Sequence, residues 1–86
     1  MVIYHVEITG SAERQLRKLA RSNQLRVARA LVGLATEPFP TQSRKIAGTQ
    51  DVWRIRVGSY RILYSVDNDR VVVIILKIGH RKDVYR

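Results

Sequence analysis

Cysteine is missing from this 86-residue chain, which excludes disulfide staples, thiolate metal sites and a cysteine nucleophile. With only two histidines, set far apart, and scattered acids, neither a metal site nor a cofactor is expected. The five glycines are dispersed and read as turn residues, so there is no Gly-rich loop to cradle a phosphate. No apolar run reaches 18 residues, and Met1-Val2-Ile3-Tyr4-His5-Val6-Glu7 shows no basic segment leading into an apolar one. A cytoplasmic location with no membrane partner is therefore expected. The length fits one domain spanning 1–86 and excludes a multidomain enzyme. Acidic residues are scarce too, 7 against 16 Lys+Arg, leaving a formal net charge of +9. That imbalance points to a polyanionic partner. A hydrophobic fraction of 45% and mean hydropathy of −0.18 mark a folded domain, not a disordered basic tail.

The opening alternates, with Val2, Tyr4, Val6 and Ile8 on one side, as a half-buried strand does. Gly10 breaks it, and Ser11 is the expected N-cap of a helix with Ala12, Leu16, Leu19 and Ala20 inward. Ser22-Asn23 reads as a short turn into a second helix reaching Ala35, with Ala28, Leu31, Leu34 and Ala35 inward, supported by Val27 and Val32; the brief connection predicts an antiparallel helix hairpin. Glu37-Pro38-Phe39-Pro40 ends the helix and opens the one long loop, Thr36 to Ser43. Strand patterning then runs over Val52–Val57, Tyr60–Val66 and Val71–Ile78. The order β-α-α-β-β-β predicts an α+β fold, a helix hairpin on a mostly antiparallel four-stranded sheet.

The basic residues expected on the helices (Arg14, Arg17, Lys18, Arg21, Arg26 and Arg29) fit solvated faces. The sheet is different. Gly58-Ser59 suits a two-residue type II′ turn, and propagating its register pairs Val57 with Tyr60, Arg56 with Arg61, Ile55 with Ile62, Arg54 with Leu63 and Trp53 with Tyr64. Trp53, Ile55, Val57, Tyr60, Ile62 and Tyr64 then share the core face, while Arg54, Arg56 and Arg61 share the other. Directly opposed arginines repel unless an anion lies between them, so this face reads as an anion site. The strand from Val71 is apolar on both faces and reads as central. Strict alternation along it puts Lys77 on the core side unless the strand has already ended. Beyond it, Gly79 allows a bend that brings His80, Arg81, Lys82 and Tyr85 toward Arg61. His80 offers an imidazole, and Tyr85 a phenol for proton transfer or stacking on a base.

These residues resemble the RelE/ParE superfamily of bacterial toxins, particularly its RelE-like mRNA interferase branch. The likeness runs through Tyr4-His5-Val6, the basic helices, Glu37-Pro38 and Ile46-Ala47-Gly48. It is most specific in Trp53-Arg54-Ile55-Arg56-Val57-Gly58-Ser59-Tyr60-Arg61-Ile62-Leu63-Tyr64 and Gly79-His80-Arg81-Lys82-Asp83-Val84-Tyr85. The resemblance implies a metal-independent, ribosome-dependent endoribonuclease that cuts mRNA in the ribosomal A site and is neutralised by a RelB-like antitoxin. It also implies a catalytic set of Arg54, Arg56, Arg61, Arg81 and Tyr85, with Arg44, Lys45, His80 and Lys82 as further RNA contacts. Arginine stands at 54 and 56 where well-known members carry lysine, and a guanidinium is a poor general base. Ala47 likewise leaves no basic side chain where some relatives have one. Two rival readings are a ParE-like toxin that inhibits DNA gyrase by protein contact and a non-catalytic nucleic-acid-binding module.

Overall fold

A computed structural model describes residues 2–49 and 51–80. Arg81, Lys82 and Tyr85 lie outside the described residues. The elements are β1 (His5–Ile8), α1 (Gly10–Arg17), α2 (Arg21–Thr36), β2 (Arg44–Lys45), β3 (Val52–Val57), β4 (Tyr60–Asp67) and β5 (Val72–His80). They form one sheet in the order β1-β5-β4-β3-β2, with β1 parallel to β5 and every other pair antiparallel. The sheet thus has five strands where four are expected. The extra one is a two-residue edge strand that pairs Arg44 with Arg54 and Lys45 with Trp53. So short a strand carries no periodicity of its own, and it offers little open edge to a stray chain.

Both helices cover one face of the sheet. Ala12, Val27, Leu31 and Leu34 meet Ile55, Ile62, Tyr64, Val73, Ile75 and Ile78 in a buried cluster, with Trp53 and Val57 packed against it. Each fully buried Ile or Val in such a cluster contributes about 1.5–3 kcal/mol before the entropy of ordering. The expected register of β3 and β4 holds pair by pair, from Val57 opposite Tyr60 to Trp53 opposite Tyr64. Gly58 sits at φ +60°, as the first position of a II′ turn requires. A Cβ there would lie 2.8 Å from Nη1 of Arg26, which reaches over the turn from α2. Val71, before β5, holds φ +58° with no such relief, a strained position for a β-branched residue.

The helix boundaries differ from expectation. Thr9, not Ser11, caps α1: it is still extended, and its Oγ1 accepts the Ala12 N–H at 3.1 Å. Ser22 and Asn23 lie inside α2, so the turn falls at 18–20. No side chain caps α2; instead the Gln24 amide donates to the Arg17 carbonyl at 3.1 Å and ties the two helices together. Gly33 also lies within α2, not at a turn. Among the described residues no helix is long and apolar enough to cross a membrane.

The tyrosines anchor connections with their hydroxyls. Tyr64, fully buried, donates to the Pro38 carbonyl at 2.7 Å and pins the long loop to the sheet, while Phe39 packs edge-on to Trp53. Burial pushes the Tyr64 phenol above its usual 10.0, with hydrogen bonding to Ser43 opposing in part. Tyr4 donates to Asn68 and Tyr60 accepts from Asn23, at 2.8 and 3.4 Å.

Candidate functional site

The uncovered sheet face can be read as rows across the strands, because paired residues point the same way. One row runs Arg56, Arg61, Gly79. The next runs Arg44, Arg54, Leu63, Lys77. Five cations therefore occupy two adjacent rows with a leucine in their middle. Arg56 and Arg61 stand directly opposite beside the tight turn, at a non-hydrogen-bonded position where Cα atoms approach to about 4.5 Å. Arg44 and Arg56 are exposed, whereas Arg54, Arg61 and Lys77 are half-buried. Among the described residues His5 pairs with Glu7 and Arg17 with Glu13, and no described carboxylate lies in salt-bridge range of Arg44, Arg54, Arg56 or Lys77. A cleft of about 360 Å³ opens between Gln42, Arg44, Arg54 and Arg56. Arg44 also donates to the carbonyls of Thr41 and Ser43, at 3.0 and 2.8 Å, which fixes the loop forming one wall of that cleft.

Lys77 stands on the open face, opposite the position that strict alternation predicts. A β-bulge causes the difference. Leu63 pairs with Lys77 and Tyr64 with Ile75, so Leu76 is the extra residue and parity reverses after it. The bulge is braced from the start of α1. The Thr9 hydroxyl donates to the Leu76 carbonyl at 3.2 Å, and the Gln15 side chain accepts the Ile78 N–H at 2.8 Å. The sequence does hold a signal for it: a lysine that alternation would bury among Val73, Ile75 and the helices is a reason to expect a bulge.

Not every candidate joins this face. Lys45 pairs with Trp53, which places it on the helix side of the edge strand. His80 pairs with Tyr60, also on the helix side, and its ring meets the Tyr60 ring edge-on with centroids 6.0 Å apart. Sheet parity thus separates both from Arg54, Arg56 and Arg61. Trp53, an expected core residue, is only partly buried.

The same face changes character along the strands. Beyond the basic rows come Val52, Ser65, Ile74 and Glu7, and then Asp67, Val72 and His5. An open cleft of about 490 Å³ at that end is lined by Asp51, Asp67 and Asp69 among others. The Asp67 carboxylate is engaged locally, accepting the N–H groups of Asp69 and Arg70, both at 3.1 Å. A third groove, about 260 Å³, lies on the helix side between α2 and the long loop, with Glu37 as its one charged lining residue. Chemically, the arginine end is the one equipped to bind an anion among the described residues: it offers clustered guanidinium donors, two of them half-buried.

Comparison with known proteins gives a consistent result. The family model for the ParE toxin of the type II toxin–antitoxin system parDE matches residues 6–85. The chain is 37% identical to Toxin RelG of Mycobacterium tuberculosis, over 96% of this chain and 97% of that one. It is 27% identical to the mRNA interferase toxin RelE of Escherichia coli, over 92% of this chain and 84% of that one. Among solved structures, an archaeal RelE–RelB complex from Pyrococcus horikoshii superposes with a TM-score of 0.83 at 31% identity, covering 96% of this chain and 100% of that one.

Proposed function

The chain belongs to the ParE toxin family of type II toxin–antitoxin systems, as a RelE-like member, and from that premise we propose that it is a ribosome-dependent endoribonuclease acting on mRNA in the cytoplasm. The observation that carries this reading is the pair of cationic rows on the open sheet face, five Lys and Arg side chains gathered around the opposed Arg56 and Arg61.

RNA brings its own nucleophile, so the protein has to align, neutralise and manage protons. The 2′-oxygen forms a bond to the scissile phosphorus, the bond from phosphorus to the 5′-oxygen breaks, and the products are a 2′,3′-cyclic phosphate and a 5′-hydroxyl. No metal takes part in this scheme. Arg61 with Arg81 binds the phosphate and stabilises the charge that accumulates in the transition state. Arg54 and Arg56 hold the neighbouring backbone and favour ionisation of the 2′-hydroxyl, whose proton passes to water. Tyr85 stacks on a base or delivers a proton to the leaving oxygen, and Lys82 steers the backbone. The ribosome supplies the mRNA in an in-line conformation that so small a protein cannot impose alone. A RelB-like antitoxin neutralises the toxin, as the relatives' solved complexes with RelB support.

The test is cleavage of A-site codons in translating ribosomes by wild type, Arg61→Ala and Arg81→Ala, with mapping of the new 3′ termini. Loss of cutting in both variants is expected. Cutting at the wild-type rate by both would remove the arginine roles. A wild type that blocks supercoiling by gyrase and leaves mRNA intact would replace the nuclease reading with the ParE-like one.

A further inference from the structure

Resting on the RNA reading above, we propose that Lys77, with Leu63 as an apolar floor beside it, forms a second phosphate subsite that holds the RNA backbone next to the scissile linkage. Lys77 is the diagonal cross-strand neighbour of Arg61, a Cα separation of about 7–8 Å, and lies two strands from Arg54, about 10 Å. An extended lysine spans much of either gap, so an anion between rows meets ammonium on one side and guanidinium on the other. Leu63 separates Arg54 from Lys77 within their row and keeps water from one side of that gap.

The direction of Lys77 is built into the fold. A side chain's face within a strand follows from backbone pleating, and only an inserted residue reverses it. Leu76 is that insertion, and the backbone on both sides of Lys77 is held: the Leu76 carbonyl by Thr9, the Ile78 N–H by Gln15. Without the bulge the ammonium would enter the helix-covered core beside Val73 and Ile75, where an unpaired charge is not tolerated. With it, a half-buried lysine joins four arginines, with no carboxylate of the described residues in salt-bridge range of it.

The full-length chain is titrated with a 2′-O-methyl RNA oligonucleotide, which binds without being cut, over a range of salt concentrations. Lys77→Gln is expected to bind about three- to tenfold more weakly and to lower the slope of log affinity against log salt by about 0.7, the share of one phosphate contact in a single strand. Lys77→Arg retains affinity and slope, and thermal unfolding of both variants matches wild type. In the ribosome assay, Lys77→Gln raises the toxin concentration giving half-maximal cutting, while the saturating rate stays within about twofold, as a positioning residue predicts. Equal affinity and salt slope for Lys77→Gln and wild type overturns the subsite, even if wild type cuts mRNA. Weakened binding by Lys77→Gln together with no cutting by wild type upholds the subsite and overturns the nuclease reading alone. A wild type that fails to bind the oligonucleotide at low salt overturns both.

Discussion

The two ends of the open sheet face are made from the same strands and carry opposite charge. Toward the Gly58-Ser59 turn stand Arg44, Arg54, Arg56, Arg61 and Lys77; toward the other end stand Glu7, Asp51, Asp67 and Asp69. Arg61 and Asp67 begin the two ends on one strand, six residues apart, and the intervening row of Val52, Ser65 and Ile74 is uncharged until it reaches Glu7 on the edge strand. The carboxylates at the far end do not neutralise the arginines, because distance and solvent screen them. They do give the face a polarity, so a polyanion is drawn to one end and turned away from the other. The turns differ in the same sense. At the basic end a glycine takes the positive φ, whereas at the acidic end Val71 takes it.

The largest expected effect lies at the basic end. Arg61→Ala should lower mRNA cleavage on ribosomes by about 10²–10³-fold, the loss typical of one transition-state donor. The turn beside it comes next. Gly58→Ala places a Cβ at φ +60° and against Arg26, and calorimetry or chemical denaturation should show a loss of about 1–2 kcal/mol.

Tyr64→Phe tests the seam between the sheet and the long loop, and should cost about 1 kcal/mol because the Pro38 carbonyl loses its donor. It has a pH signature as well. The folded Tyr64 keeps its proton above 10.0 when the unfolded chain has released it, so the unfolded state binds fewer protons and stability falls as pH rises past 10.0. The phenylalanine variant should lose that part of the alkaline slope, and an unchanged slope would remove burial as the cause of the shift. At the acidic turn, Val71→Asn should raise stability by about 0.5 kcal/mol, since asparagine tolerates the left-handed region. The smallest effect is Asp69→Asn, expected to raise affinity for a 2′-O-methyl RNA oligonucleotide about twofold at low salt. An equal gain from neutralising an acid on α1, such as Glu13→Gln, would mean that net charge matters and the polarity of the face does not.

How much was legible in the sequence varied with the range of the interaction involved. The β3–β4 pairing was readable because Gly58-Ser59 selects the turn and a two-residue turn leaves one register. The cap of α1 lies two residues before the expected Ser11: Thr9 and Ser11 carry the same capping chemistry, and the Leu76 carbonyl that engages Thr9 as well lies far along the chain. The family resemblance implies that Lys45 and His80 join the arginines as RNA contacts. Parity put them on the helix side instead, and parity for Lys45 depends on an edge pairing with no local pattern.

By itself, then, the sequence determined what covalent geometry and short turns dictate: two amphipathic helices, alternating strands, and Arg54, Arg56 and Arg61 on one face, since pleating sends every second side chain the same way. Tertiary structure alone decided the parallel seat of β1 on β5, the edge strand at Arg44–Lys45, the bulge at Leu76 and the face taken by Lys77. Each of these turns on which distant group completes a backbone hydrogen bond, as the side chains of Thr9 and Gln15 do for β5, and such a partner leaves no periodic mark in the chain.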